Sequence, residues 1–441
     1  MNNQTGGSTP RPGAYSLVVV GLLAVVYTFN MLDRQLLSIL SEPIRKELNL
    51  SYTQVGMLTG LTFALFYTVF GIPLAWLADR THRVRLIAAA LTVWSLFSMS
   101  CGLASNFAML ALARIGVGVG EAGGSPPSYA VVSDYFPPRR RGTAMAIYSL
   151  GSPFGTALGS AAGAGIAAIY GWRAAFLAVG LPGVLLALIV LMVIREPRRG
   201  RLDAFAEGKT AHAASLPLPK AIAAFFANPV LVMTGVASGL ANFVAYGFAN
   251  NAAAYLISNR HMSLAQVAVD YSAVVAVAGG IGLFGGGWLA DRLGRRDRSA
   301  YALVPAAALT ISLPFLLAFL WAPSWPVALA FMAAPIAMNL VFLAPAIAVV
   351  QNAVLPGQRG TAGSILLFLM NIIGLGGGPL YVGLVADHFK PAFGTVALRF
   401  GLAALVPFIL LAVLAHVISA RAMKRDANLG ALLATAAPAP I

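Results

Sequence analysis

The sequence predicts an all-α membrane protein, with twelve transmembrane helices in two pseudo-symmetric six-helix bundles. Three observations lead there. Of the 441 residues, 59% are hydrophobic and 10% are charged. Soluble globular proteins carry about 25% charged residues, so a normal polar surface is out of reach. Apolar runs of 18 or more residues recur from end to end, each long enough for ~30 Å of hydrocarbon. They lack the every-second-residue alternation of an outer-membrane barrel strand. Finally, short signatures in the first half of the chain return in the second.

Taken in order, the apolar runs place helices over 16–39, 53–78, 86–104, 107–134, 142–169 and 172–194. A second set follows over 228–258, 269–290, 299–321, 325–353, 360–386 and 395–419. The first run is too long for a signal-peptide core and reads as a retained helix. A polar stretch with Arg195, Arg198, Arg199, Arg201, Lys209 and Lys220 separates the two sets. The expected organisation is a tail over 1–15, a bundle over 16–194, a linker over 195–227, a second bundle over 228–419 and a tail over 420–441. The last segment, after Asp426, is rich in Ala and Pro.

Charge sets the orientation. The N-terminal tail, every second loop after it, the linker and the C-terminal tail hold 21 of the 29 Lys and Arg residues. The alternate loops hold five: Arg45, Lys46, Arg173, Arg260 and Lys390. By the positive-inside rule both termini and the linker are cytoplasmic, which requires an even number of spans. A multi-pass protein of a bacterial inner membrane is the expectation. The formal charge of +15 is then an orientation signal. A nucleic-acid partner is excluded, because the basic residues sit in short loop runs and not along one amphipathic face. The single cysteine, Cys101, rules out an intramolecular disulfide.

The repeats are specific. Ala75-Trp-Leu-Ala-Asp79-Arg80-Thr-His-Arg83, near the end of the second span, returns as Gly287-Trp-Leu-Ala-Asp291-Arg292-Leu-Gly-Arg295 near the end of the eighth. Arg141-Gly-Thr-Ala144 after the fourth span returns as Arg359-Gly-Thr-Ala362 after the tenth. The offsets are 212 and 218 residues, so the halves are copies of one unit, built to face a midplane site. The Asp-Arg-x-Gly-Arg loop signature resembles that of the major facilitator superfamily, and the likeness covers the whole chain. Ala75 and His82 stand where that superfamily usually has glycine. Within it, Asn30-Met-Leu-Asp33-Arg34 and Arg114-Ile-Gly-Val-Gly118-Val-Gly120-Glu121-Ala122 resemble the spinster family. The resemblance implies a major facilitator fold, a monomer by default, and export or redistribution of lysophospholipids and sphingosine-type lipids.

Few ionisable residues lie well inside the spans: Asp33, Arg34, Arg114 and Glu121, with Arg399 near the start of the last. Each charge at the bilayer centre costs ~2.5–3.5 kcal/mol on insertion scales, so these groups must face a cavity or one another. At ~1.5 Å per residue, Asp33 and Arg114 sit level, and Glu121 lies two turns deeper on the face of Arg114. We expect a proton-responsive cluster of all four, because desolvation raises a carboxyl pKa and a neighbouring arginine lowers it. The alternative is a static ion pair between the first and fourth spans. Arg399 reads as a snorkelling or lipid-headgroup-facing arginine.

The second half offers hydrogen-bonding groups instead of charges. Asn242, Tyr246 and Asn250 form one stripe at i, i+4, i+8, joined by Asn339, Phe342 and Asn371 and, from the first span, Asn30. Each either lines the cavity or bonds to a neighbouring helix. One charged wall facing a mostly apolar one suits an amphiphile. The loop signatures supply a candidate cytoplasmic gate of Asp79, Arg80, Arg83, Arg141, Asp291, Arg292, Arg295 and Arg359. The superfamily resemblance implies that Asp79 pairs with the start of the eleventh span and Asp291 with the start of the fifth. A role in topology alone is the other reading.

Gly151, Gly155 and Gly159 repeat every four residues and read as close helix packing. No Walker motif, zinc-ligand spacing or nucleophile elbow is present, and Gly116-x-Gly118-x-Gly120 follows no strand. No cofactor or metal is expected, and no enzyme. The expected function is proton-linked secondary transport of amphiphilic lipids, lysophospholipid or sphingosine-type, by rocker-switch alternating access. The alternatives are proton symport of a small organic anion through Arg34 or Arg114, or passive lipid scrambling or sensing among the membrane lipids.

Overall fold

Ser51 and Ser263 begin two helices in the same way. Each side chain accepts from the backbone N–H three residues on, and Gln54 or Gln266 reaches back to the serine N–H. These reciprocal caps satisfy donors that a helix start would otherwise leave open. Each is followed by a π-helical turn, Met57–Leu61 in one case and Val267–Tyr271 in the other.

The computed structural model describes residues 13–78, 80–198, 218–354 and 359–425. Among these, ten apolar helical stretches are long enough to cross a membrane. Two of them, Thr143–Val193 and Thr361–Arg425, run to 51 and 65 residues. Straight, they would extend ~75 and ~100 Å, against ~30 Å of hydrocarbon, so each must double back. They turn at Gly171 (φ 82°) and Gly394 (φ 56°), where a Cβ would be strained. Twelve spans result: α1 (Ala14–Ile39), α2 (Tyr52–Ala78), α3 (Arg83–Cys101), α4 (Phe107–Tyr135), α5 (143–170) and α6 (172–193). The second six are α7 (Pro229–Arg260), α8 (Leu264–Gly294), α9 (Ala300–Trp321), α10 (Trp325–Asn352), α11 (361–393) and α12 (397–425).

The halves repeat down to their irregularities. Pro126 and Pro127 cannot donate to the carbonyls four residues back, and α4 is broken by a turn at 123–124. Pro345 does the same in α10, where the chain passes through turns at 339–342. Boundaries depart from the sequence expectation where a cap decides them. The serine cap starts α8 at Leu264, not 269. His82 accepts from the backbone N–H of Arg85 and starts α3 at Arg83, which gives this non-glycine position a role. α11 runs on past 386 through Asp387, His388 and Lys390 to Phe393.

Packing of α5 on α1 fixes the helix that carries the candidate charges. A Cβ at Gly151, Gly155 or Gly159 would lie 2.6, 2.3 or 2.7 Å from the carbonyl oxygens of Ala24, Thr28 and Leu32. The glycines therefore let the two backbones touch along three successive turns. Between the halves, contact gathers at the face opposite the chain termini. A Cβ at Gly383 of α11 would meet the Tyr52 carbonyl at 2.3 Å, and one at Gly56 of α2 the Pro379 carbonyl at 2.4 Å. The Asp387 carboxylate accepts from the backbone N–H groups of Tyr52 (2.9 Å) and Thr53 (2.7 Å), so α11 caps the start of α2. Ser38 donates to Asn250 at 2.8 Å across the same seam. At the terminus-bearing face, Pro138–Ser149 packs on α1, α4 and the rest of α5, all within its own half.

Candidate functional site

The side chains of an α-helix tilt towards its N-terminus. In α1 that direction is towards the terminus-bearing face, and α4 runs the opposite way. Arg34 therefore reaches down to Glu121, and its Nε donates to Oε2 at 2.6 Å. Asp33, on the next residue, turns to Arg114, with Nη1 and Oδ2 3.8 Å apart. The four candidates thus meet as two pairs stacked along α1 and α4. Ser98 of α3 donates to Asp33 Oδ1.

Burial divides the pairs. Asp33, Arg114 and Glu121 are buried, Glu121 completely, whereas the Arg34 side chain keeps 20% of its surface exposed. Hydrogen-bonding capacity is left over: Asp33 Oδ2, Glu121 Oε1 and the Nε and Nη1 of Arg114 have no hydrogen-bond partner, nor does the nearby Asn30 Oδ1. The guanidinium of Arg34 lies 4.6 Å from the ring centre of Phe63 and 4.7 Å from that of Tyr67. Arg114 lies 5.2 Å from the same Phe63 ring. One aromatic face of α2 thus supports both cations.

Below the charges is a tyrosine group. Tyr27 of α1 stacks on Tyr148 of α5 at 4.9 Å, and Tyr129 of α4 meets Tyr148 edge-on at 5.3 Å. Tyr246 of α7 stands within electrostatic reach of Arg34 and Glu121. Sequence reasoning named Tyr246 but missed Phe63, Tyr67, Ser98 and the other tyrosines. The i, i+4 spacing of Phe63 and Tyr67 was the available signal.

The remaining candidates have definite places. Asn242 donates to the carbonyl of Met370 at 2.7 Å, inside a π-helical turn of α11 (Met370–Gly376), and Asn371 is half-buried in that turn. Asn250 joins the halves, accepting from Ser38 and donating to the Thr59 carbonyl at 3.4 Å. Asn339 accepts from Ser312 at 3.2 Å, and Phe342 is buried in the core.

At the terminus-bearing face, Arg83 is a clamp within the first half. It pairs with Asp134 at 2.6 Å and Glu196 at 2.7 Å and donates to the Pro197 carbonyl. Arg141 donates to the carbonyls of Ser133 and Phe136. Asp291 accepts from Tyr301 at 2.9 Å, within its own half. Arg80 lies over Trp76 and Arg292 over Trp288. Arg295 joins Trp288, Asp291 and Arg292 around a shallow depression. Asp79 and the side chain of Arg359 lie outside the described residues.

Comparison with known proteins follows the same lines. The model of the Major Facilitator Superfamily matches residues 23–378. The chain is 33% identical over 387 residues to an MFS-type efflux pump of Mycolicibacterium smegmatis, covering 88% of each. It is 27% identical over 393 residues to a hexuronate transporter of Bacillus subtilis, covering 88% of this chain and 92% of that one. Among solved structures, a bacterial homolog of the human lysosomal transporter spinster, in an inward-facing and unoccupied conformation, matches with a TM-score of 0.86 at 29% identity. That match covers 94% of this chain and 98% of the other.

Proposed function

Since this chain belongs to the major facilitator superfamily and is a multi-pass membrane transporter, not an enzyme, we propose that it is a proton-linked carrier of amphiphilic lipids. The cargo class is lysophospholipid or sphingosine-type, and the cycle is rocker-switch alternating access. Both termini and the linker face the cytoplasm of a bacterial cell, and the conformation described above is the inward-facing one.

The observation that carries this reading is the Arg34–Glu121 pair. Its carboxylate is completely buried, while its guanidinium keeps a fifth of its surface exposed. An anionic headgroup entering between the halves competes for Arg34, which presents a planar fork suited to phosphate. Glu121, robbed of its counter-charge in an apolar span, then takes up a proton. Tyr67, Tyr129 and Tyr246 flank the headgroup, and the mostly apolar second half accommodates the hydrocarbon tail. Closure of the cytoplasmic face brings Asp291 from Tyr301 to the start of α5, and Asp79 to the start of α11.

Flux of a labelled lysophospholipid into proteoliposomes, with and without a pH gradient, tests this reading. Parent protein should show gradient-stimulated flux, and Glu121→Gln should lose the stimulation. Flux indifferent to the gradient in both proteins would mean passive scrambling. A second reading, symport of a small organic anion, draws on the same exposed arginine and on the hexuronate transporter among the relatives. It requires hexuronate to compete with the lipid for transport.

A further inference from the structure

At the far end of the second half, away from the proposed transport site, two more arginines come together. Arg260 ends α7 and Arg399 lies in the first turn of α12. The Tyr255 hydroxyl stands beside both guanidinium groups. It donates to the carbonyl of Leu320 at 2.6 Å, and Arg260 Nη2 donates to the same oxygen at 2.8 Å. These bonds satisfy a carbonyl in the last turn of α9, which has no partner within its own helix.

That structural role leaves both charges uncompensated. No carboxylate among the described residues forms an ion pair with either arginine, and the Nε of each is buried without a hydrogen-bond partner. The other arginines deep in the spans, Arg34 and Arg114, are each paired with an acid. Arg399 lies 5.9 Å from the ring centre of Trp321, which is 59% exposed. Phe393, on the turn into α12, is exposed too. Two cations with spare donors, rimmed by exposed aromatic rings at the level where the chain leaves the hydrocarbon, call for an anion attached to an apolar tail.

We propose that Arg260 and Arg399 form a binding site for the phosphate of an anionic membrane lipid, in the leaflet opposite the chain termini. The phosphate oxygens accept from the terminal Nη groups of the two guanidinium ions, and the acyl chains run along the exposed rings. The site is separate from Arg34 and does not depend on what the cargo is.

The test is native mass spectrometry of the full-length protein, delipidated in detergent and titrated with phosphatidylglycerol, phosphatidylcholine or inorganic phosphate. Parent protein should retain phosphatidylglycerol in preference to phosphatidylcholine, and Arg399→Gln should bind it roughly ten-fold more weakly. Arg399→Lys, which keeps the charge, should recover part of the loss and guards against a folding defect. Arg85→Gln, an exposed arginine at the terminus-bearing face, should leave retention unchanged. Equal retention by parent and Arg399→Gln would overturn the proposal. So would retention lost in Arg34→Gln but kept in Arg399→Gln, which would place the lipid at Arg34. Displacement of the lipid by millimolar inorganic phosphate would identify a free anion as the ligand and overturn the lipid assignment.

Discussion

Two carboxylates and two arginines in the middle of a bundle could serve as glue, but glue would use all its hydrogen bonds. Here Glu121 Oε1 and Arg114 Nε have no hydrogen-bond partner, and Asp33 Oδ2 meets Arg114 Nη1 only as an ion pair at 3.8 Å. Leaving such groups unsatisfied costs ~1–3 kcal/mol each, a cost that a static tie would have been relieved of. The arrangement therefore suits partners that change. A different carboxylate, Glu47 at the end of the short helix Ser41–Glu47 that follows α1, shows the opposite case. It accepts from Trp172 Nε1 at 2.6 Å and from Arg173. These bonds, that from Trp172 foremost, hold its carboxyl below the usual range. The sign follows: its contribution to stability is fully present above the ordinary carboxylate pKa of about 4.3 and is lost as pH falls through the depressed native value. Tryptophan emission should shift on acidification through that window in the parent protein, and Glu47→Gln should lack the shift. Identical titrations would show that the carboxylate does not hold Trp172.

At the scale of the element, helix ends matter more than helix middles. α11 outruns its apolar segment because the two oxygens of Asp387 cap the first N–H groups of α2, which belongs to the other half. A charge that would have ended a helix by composition instead locks one half against the other. Removing a helix N-cap costs about 1 kcal/mol, which corresponds to roughly a five-fold shift in a two-state ratio. Asp387→Ala should raise the population open at the face opposite the termini by about that factor. Spin labels on Lys46→Cys and Lys390→Cys in a Cys101→Ala background report it as a longer inter-label distance. An unchanged distance distribution would mean that the cap does not stabilise this state. Gly171 and Gly394 make the complementary point, since each converts one overlong helix into two spans by its sign of φ alone.

For the molecule as a whole, the sequence was legible wherever hydrophobic length or local repetition carried the signal. The spans were readable from their apolar runs, and the twofold design from Trp-Leu-Ala-Asp-Arg and Arg-Gly-Thr-Ala. Depth put Asp33 level with Arg114, and the cost of buried charge grouped Arg34 and Glu121 with them, but the pairing of Arg34 with Glu121 was not readable. The serine caps, the π-helical turns and the paired breaks in α4 and α10 are equally repeated, but their short polar motifs are hidden among apolar residues. What a linear reading could not supply was contact between distant segments. Asn242 bonds to Met370, Asp387 caps α2, and the tyrosines of five helices gather around Arg34. The central claim is that an anionic headgroup takes Arg34 from Glu121 and so loads a proton. Its most direct test is proton uptake by purified protein in weakly buffered detergent, followed with a pH indicator as lysophospholipid is added. The expected result is net uptake on binding by the parent protein and none by Glu121→Gln; binding without uptake in the parent would contradict the claim.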